Sequence, residues 1–232
     1  MSGRTGSPAA PVVPSAPAAR SAPGAGPVTP PAPAPEAVRA AAAPPARARS
    51  GPRPLLPWLR PPRAPYRRQL RRIGSGRVLD IGCGSGDTLA GCAPGSVGVD
   101  HDPHSVDICR ARGLTAYTAD AFLASPHARP GAFDALLSAQ VLQHLDDEQV
   151  EGLLRAYLPY VRPGGGVVLI TPQEAGHRSA EAPGRFTDFA LLRVFAESAG
   201  LSVRRTYSCP LPRPAGRLLD ANAFVLVGQV PA

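Results

Sequence analysis

A strand-like run that ends in three alternating glycines constrains this chain more than any other feature. Val78-Leu79-Asp80-Ile81 is short and mostly apolar, and Gly82-Cys83-Gly84-Ser85-Gly86-Asp87 follows at once. Glycine lets a backbone turn tightly and approach a ligand with no Cβ in the way. A strand that delivers such a loop into a helix reads as the first βα turn of a nucleotide-binding α/β domain. The spacing narrows the ligand. A dinucleotide fingerprint is G-x-G-x-x-G, whereas here the third glycine comes one residue early, at Gly86, and Asp87 takes its place. Asp80 adds a second carboxylate to the same loop. An acidic glycine loop suits a ligand without phosphates, or one that carries positive charge.

Beyond the loop, strand-like and helix-like segments alternate. Residues 96–100 form a second strand; Asp102-Pro103 then supply an N-cap and a first-turn proline for a helix that Gly113 ends. Residues 114–119 and 133–138 are the third and fourth strands. Asp146 and Gln149 have capping-box spacing, and Leu145 and Val150 stand in staple positions. Val150, Leu153, Leu154, Tyr157 and Leu158 fall on one helical face. Pro163-Gly164-Gly165-Gly166 turns into a fifth strand over 167–171. Thr187 caps a last helix bearing Leu191, Leu192 and Phe195, which Gly200 closes. Strands near 201–207 and 222–228 complete the pattern. This order predicts an α/β fold, a largely parallel sheet with helices on both faces, binding its ligand beyond the carboxyl ends of the strands.

The first 60 residues are of a different kind. Of the 30 prolines, 18 precede Tyr66. Residues 1–72 hold 12 Arg against the single acid Glu36, a charge of +11; residues 73–232 hold 13 Arg against 16 acids, a charge of −3. The formal +8 is therefore a property of the tail, which disfavours a compact basic nucleic-acid-binding domain. A Pro/Ala-rich stretch with almost no large apolar residue cannot offset its chain entropy, so residues 1–60 read as a disordered extension and 61–232 as the domain. Residues 64–73 read as a short helix leading into it. All 25 basic residues are Arg, which removes any mechanism that needs a Schiff-base or phosphate-loop lysine. Cys83, Cys92, Cys109 and Cys209 show no C-x-x-C spacing, against a structural zinc site or a disulfide framework. No apolar stretch approaches the ~18 residues of a membrane span, and no signal-peptide core is present. The compartment expected is the cytoplasm.

Val78-Leu-Asp-Ile-Gly-Cys-Gly-Ser-Gly86, with the elements that follow it, resembles the class I S-adenosylmethionine-dependent methyltransferases of the small-molecule-modifying type, over roughly residues 73–230. The resemblance implies a Rossmann-like, seven-stranded sheet and S-adenosylmethionine as cofactor. It implies that Gly82, Gly84 and Gly86 cradle the cofactor, with Asp80 organising the loop or facing the methionine ammonium. Asp100 matches the acid that takes both ribose hydroxyls, a task for which a carboxylate has the acceptors. His101 then borders the adenine or ribose. Asp120 matches the acid that accepts from the adenine amino group, with Ala121 and Phe122 beside the ring. The segment from Phe133 to Leu145 matches the fourth-strand motif and brings Ser138 and Gln140 to the cofactor. His144 stands where many relatives carry a histidine, either as a general base or as a structural or positioning group. No metal is expected.

Three other readings compete. A nicotinamide-dependent oxidoreductase shares the fold, but the early third glycine and the lack of lysine for a Tyr-x-x-x-Lys pair oppose it. A non-catalytic cofactor-binding protein would work through the Arg/Pro tail. An RNA methyltransferase would use that tail as an electrostatic arm, yet no Asn-Pro-Pro-Tyr-like or Pro-Cys motif follows the fourth strand. The expected partner is thus a small-molecule, lipid or sugar acceptor, recognised by the region before Gly76 and the stretches 174–185 and 209–217 with their Arg178, Arg185, Arg213 and Arg217. His104, His127 and His177 are scattered and make no ligand set.

Overall fold

The apolar runs pair into one seven-stranded sheet in the computed structural model, which describes residues 76–180 and 184–232. The expected disordered extension, the boundary at residue 61 and the helix over 64–73 lie outside the described residues. The strands are β1 (Val78–Ile81), β2 (Val97–Asp100), β3 (Ala116–Thr118), β4 (Phe133–Ala139), β5 (Val161–Pro172), β6 (Ser202–Cys209) and β7 (Ala223–Gln229). Their order is β3-β2-β1-β4-β5-β7-β6, parallel except for β7, which runs antiparallel to both neighbours. The helices are α1 (Pro103–Ala111), α2 (Ala119–Leu123), α3 (Asp147–Tyr157), α4 (Glu174–Arg178) and α5 (Phe189–Ser198). Chain order reverses between β1 and β4, the switch point beyond whose carboxyl ends open α/β sheets bind their ligands.

Period-two alternation splits the core into two layers. Leu79, Ile81, Leu136, Leu169 and Phe224 join the buried faces of α3 and α5 on one side of the sheet. Val78, Leu137, Val168, Ile170 and Val225 form the layer on the other. α1 contributes Val106 and Cys109 to a smaller cluster with Cys83 and Ala116. The caps read from sequence are formed. Gln149 N–H donates to Asp146 Oδ1 at 2.8 Å and Asp146 N–H donates back to Gln149 Oε1 at 3.0 Å. Asp102 accepts from the amides of His104 and Ser105. Among the described residues no helix is long and apolar enough to cross a membrane.

Three local expectations are corrected. The glycine loop opens no regular α-helix: residues 82–96 make turns and one 3₁₀ turn, Leu89–Gly91, because Gly91, Pro94 and Gly95 interrupt any longer helix. The last helix is capped by Asp188, whose Oδ1 accepts from the amides of Ala190 and Leu191, both at 3.0 Å. Thr187 is buried instead, and its carbonyl accepts from Thr171 Oγ1 at 2.7 Å, tying this loop to β5. Pro163–Gly166 does not precede the fifth strand but lies within it. Val161 already pairs with Phe133, the next pairing is Gly166 with Ala135, and the residues between are left out of register.

One glycine of the sheet matters for everything above it. A Cβ on Gly98, in the middle of β2, would lie 2.6 Å from Cys83 Sγ and 2.8 Å from Leu89 Cδ2. The glycine loop rests on β2 only because nothing stands there. Gly98→Ala should therefore destabilise the protein by about 1–3 kcal/mol, the usual cost of overpacking. Gly152→Ala, in α3 with open space around the added methyl, should stabilise by about 0.5–1 kcal/mol. Urea denaturation of the two variants checks the opposite signs.

Candidate cofactor and acceptor site

The loop after β1 is held from below by β2. The amides of Gly82 and Cys83 both donate to the Val99 carbonyl, at 2.8 and 3.2 Å. Each loop glycine answers a different constraint. A Cβ on Gly82 would lie 2.2 Å from Val141 Cγ2, and one on Gly86 would lie 2.6 Å from Leu114 Cδ1. Both glycines permit close packing. Gly84 differs: with φ +51° it has nothing within 4 Å of where its Cβ would stand. Its missing side chain leaves open space at the switch point. On the outer side of the loop, the exposed Asp87 pairs with Arg112 at 2.9 Å.

Asp100 ends β2 and ties the loop to the strand. Its Oδ2 accepts the Gly84 amide at 2.8 Å, and its Oδ1 accepts the Asp102 amide at 3.0 Å, with His101 Nδ1 3.2 Å away. Two bonds leave acceptor capacity on a carboxylate, which offers about four lone-pair sites. The Nε2 of His101 is buried and has no partner among the described residues. Asp80 is 1% exposed, and its Oδ2 is likewise buried and unpartnered. Burial, aided by nearby Cys109 and Asp100, pushes its carboxyl up to about 7. On β4, paired with Ile81, Ser138 is fully buried with an unpartnered Oγ.

The next strand contributes less than expected. Thr118 Oγ1 caps α2 by accepting the Ala121 amide, Asp120 is exposed in the first turn, and Ala121 is half-buried. Phe122 is corrected to a core residue. Its ring is fully buried, edge-on to Tyr160 at 5.1 Å and near Tyr157 and Phe133. β3 is so short that α2 begins at once, and its inward residue drops into this aromatic cluster instead of lining open space.

Past β4 the backbone is strained. Gln140 sits at φ +62°, in a region a glutamine adopts at a cost, and its amide donates to the Ile170 carbonyl at 2.9 Å. The Nε2 of buried Gln143 lies 3.3 Å from both Gln140 Oε1 and His144 Nε2. His144 is half-buried in a 3₁₀ turn, Leu142–His144; burial, then the nearby His177, holds its imidazole below the usual histidine range. Arg185 crosses over this turn, its amide donating to the Gln143 carbonyl at 2.7 Å.

The glycine loop, Asp100, His101, Asp120, Ala121, Gln140 and His144 thus gather at the carboxyl ends of four adjacent parallel strands. Two surface clefts, one lined by Arg204, Arg205 and Gln229 and the other by Pro130, Leu158 and Leu201, contain none of these residues. Among the described residues no group of three or more His, Cys, Asp or Glu is placed to hold a metal. Sequence reasoning missed Gly98 and Cys109, two positions outside the loop that help to shape it. Glycine inside a strand pattern was the available signal for the first; nothing in the sequence marked the second.

A family model of methyltransferase domains matches residues 45–206. A ubiquinone biosynthesis O-methyltransferase of Xanthomonas euvesicatoria is 28% identical over 129 residues, which is 52% of this chain and 53% of that protein. A tRNA (carboxymethyluridine(34)-5-O)-methyltransferase of Macaca fascicularis is 37% identical over 103 residues, or 43% of this chain and 15% of that one. This chain thus spans about half the length of the first relative and far less of the second. The crystal structure of an S-adenosylmethionine-dependent methyltransferase from Mesorhizobium loti superposes with a TM-score of 0.53 at 19% identity, covering 72% of this chain and 98% of that one, and so shares the fold. With the family match joined to this strand order and glycine loop, the chain belongs to the class I S-adenosylmethionine-dependent methyltransferases.

Proposed function

We propose that the protein transfers the methyl group of S-adenosylmethionine to a small-molecule, lipid or sugar acceptor held beyond β1 and β4, in the cytoplasm. The observation that carries this reading is Gly84: its amide is fixed by Asp100 while its open Cα faces unfilled space, and Asp80 on β1 and His101 after β2 each keep a buried, unpartnered polar atom. These residues fit the cofactor. Bound S-adenosylmethionine supplies a methyl on a cationic sulfur, an electrophile already activated. The chain's part is to hold it, align the acceptor and exclude water.

In this reading the spare acceptor capacity of Asp100 takes the ribose hydroxyls. Asp120 and Ala121 border the adenine, while Asp80 faces the methionine ammonium. Ser138 and Gln140 close the β4 side. His144 stands at the acceptor. Burial favours its neutral form, and the Gln143 amide N–H facing its Nε2 makes positioning of the acceptor its main part, with base assistance to a hydroxyl or ammonium acceptor only where that contact opens. Gln143 fixes its ring. The buried carboxylates of Asp80 and Asp100 below the loop favour this reading over a nicotinamide enzyme, whose pyrophosphate would add negative charge there.

Asp100→Ala should weaken S-adenosylmethionine binding by about 1–3 kcal/mol, the value of lost charge-assisted hydrogen bonds, and Asp100→Asn should lose less. Titration of the folded variants checks this; an unchanged affinity removes the ribose assignment. Asp80 predicts a pH dependence. With its carboxyl raised to about 7, the free protein holds it protonated below that pH, whereas an ammonium partner favours the carboxylate. Affinity should therefore rise as pH increases through 7, with proton release on binding. Asp80→Asn should flatten both, as measured by calorimetry in buffers of different ionisation enthalpy. In the ligand-free protein the sign is opposite: the stability this group contributes is full near pH 4 and declines as pH rises to about 7.

A further inference from the structure

Cys83 and Cys109 meet behind the cofactor loop. Their sulfurs are 4.0 Å apart, although the residues are separated by 26 positions. Both are buried free thiols, one in the loop and the other in α1. Cys109 Sγ also lies 3.1 Å from the Gly84 carbonyl, to which its thiol donates. Both sulfurs pack against glycines: a Cβ on Gly86 would be 2.8 Å from Cys109 Sγ, and one on Gly98 would be 2.6 Å from Cys83 Sγ. The absence of side chains at these two glycines is what leaves room for the two sulfurs.

We propose that Cys83 and Cys109 are an oxidation site, in which a peroxide-driven disulfide behind the glycine loop switches cofactor binding off. This rests on the cofactor reading above. In the first step one sulfur, as thiolate, attacks a peroxide oxygen. The O–O bond breaks, the sulfur becomes a sulfenic acid, and hydroxide leaves as water after taking the thiol proton. In the second step the other sulfur attacks the sulfenic sulfur, the S–O bond breaks, and the S–S bond forms as a second water departs. Two thiols and one hydrogen peroxide give one disulfide and two waters; the sulfurs lose the two electrons that the peroxide oxygens gain.

A disulfide needs about 2.05 Å between sulfurs, so the pair must close by roughly 2 Å. Because Cys83 is bonded to Gly84 and Cys109 Sγ donates to the Gly84 carbonyl, closure draws on the backbone at 83–84. That displaces the Gly84 amide from Asp100 and removes the thiol donor from the Gly84 carbonyl. Both bonds help to hold the cofactor cradle.

The test treats the reduced full chain with millimolar hydrogen peroxide, then maps disulfides by mass spectrometry and titrates S-adenosylmethionine. The expected result is a Cys83–Cys109 cross-linked peptide and at least a tenfold loss of affinity, reversed by dithiothreitol. Cys92→Ala should respond like the native protein, whereas Cys109→Ala, or Cys83→Ala if that variant fails to fold, should not respond. Thiols that stay free, sulfinic acids in place of the cross-link, or a cross-linked protein of unchanged affinity would each overturn the proposal. If the reduced protein does not bind S-adenosylmethionine, the cofactor reading fails by itself. The cross-link and faster hydrogen exchange at the Gly84 amide then judge the switch separately.

Discussion

The hydrogen bond from the Gly84 amide to Asp100 Oδ2 joins the loop after β1 to the end of β2, and most of the site is arranged around it. A loop of alternating glycines has no side chains with which to fix itself, and the entropy of ordering it is large. Here the order comes from below. Val99 accepts two loop amides, Asp100 accepts a third, and the empty Cα of Gly98 lets Cys83 settle onto β2. The same carboxylate organises the turn into α1 through the Asp102 amide. One acid therefore ties the loop to the strand end and holds the residue that caps the next helix.

Electrostatics then selects among ligands that a sheet of this order could bind. Asp80 and Asp100 are both buried, and burial, with nearby Cys109 and Asp100, disfavours the charge on Asp80. Buried like charges are costly unless a cation or a proton relieves them. Protonation of Asp80 is the relief in the free protein, and a cationic cofactor offers another. A pyrophosphate would aggravate the same repulsion. The glycine spacing and the burial of the carboxylates thus argue for one ligand class from independent directions.

Much of this was legible in the residues because local chemistry dictated it. Asp146 and Gln149 form the capping box their spacing foretold, and the stripe from Val150 to Tyr157 is buried as its period required. Strand order followed from the alternation of elements and the family resemblance. What was hidden depended on lengths and on contacts far apart in sequence. The α-helix expected after the glycine loop is absent because Gly91, Pro94 and Gly95 crowd a short connection. Phe122 left the ligand side for the core because β3 ends after three residues. Asp188, not Thr187, took the cap, since the carboxylate sat one position closer to the free amides. Contact between Cys83 and Cys109 arises only once α1 has packed on the loop, and no spacing rule announces it.

The central claim is that the space above Gly84 is an S-adenosylmethionine site and not a dinucleotide site. Calorimetric titration of the full chain with S-adenosylmethionine and, separately, with NAD tests it most directly. The account predicts one saturable S-adenosylmethionine site per chain and no measurable binding of NAD. Binding of NAD with no binding of S-adenosylmethionine would contradict it.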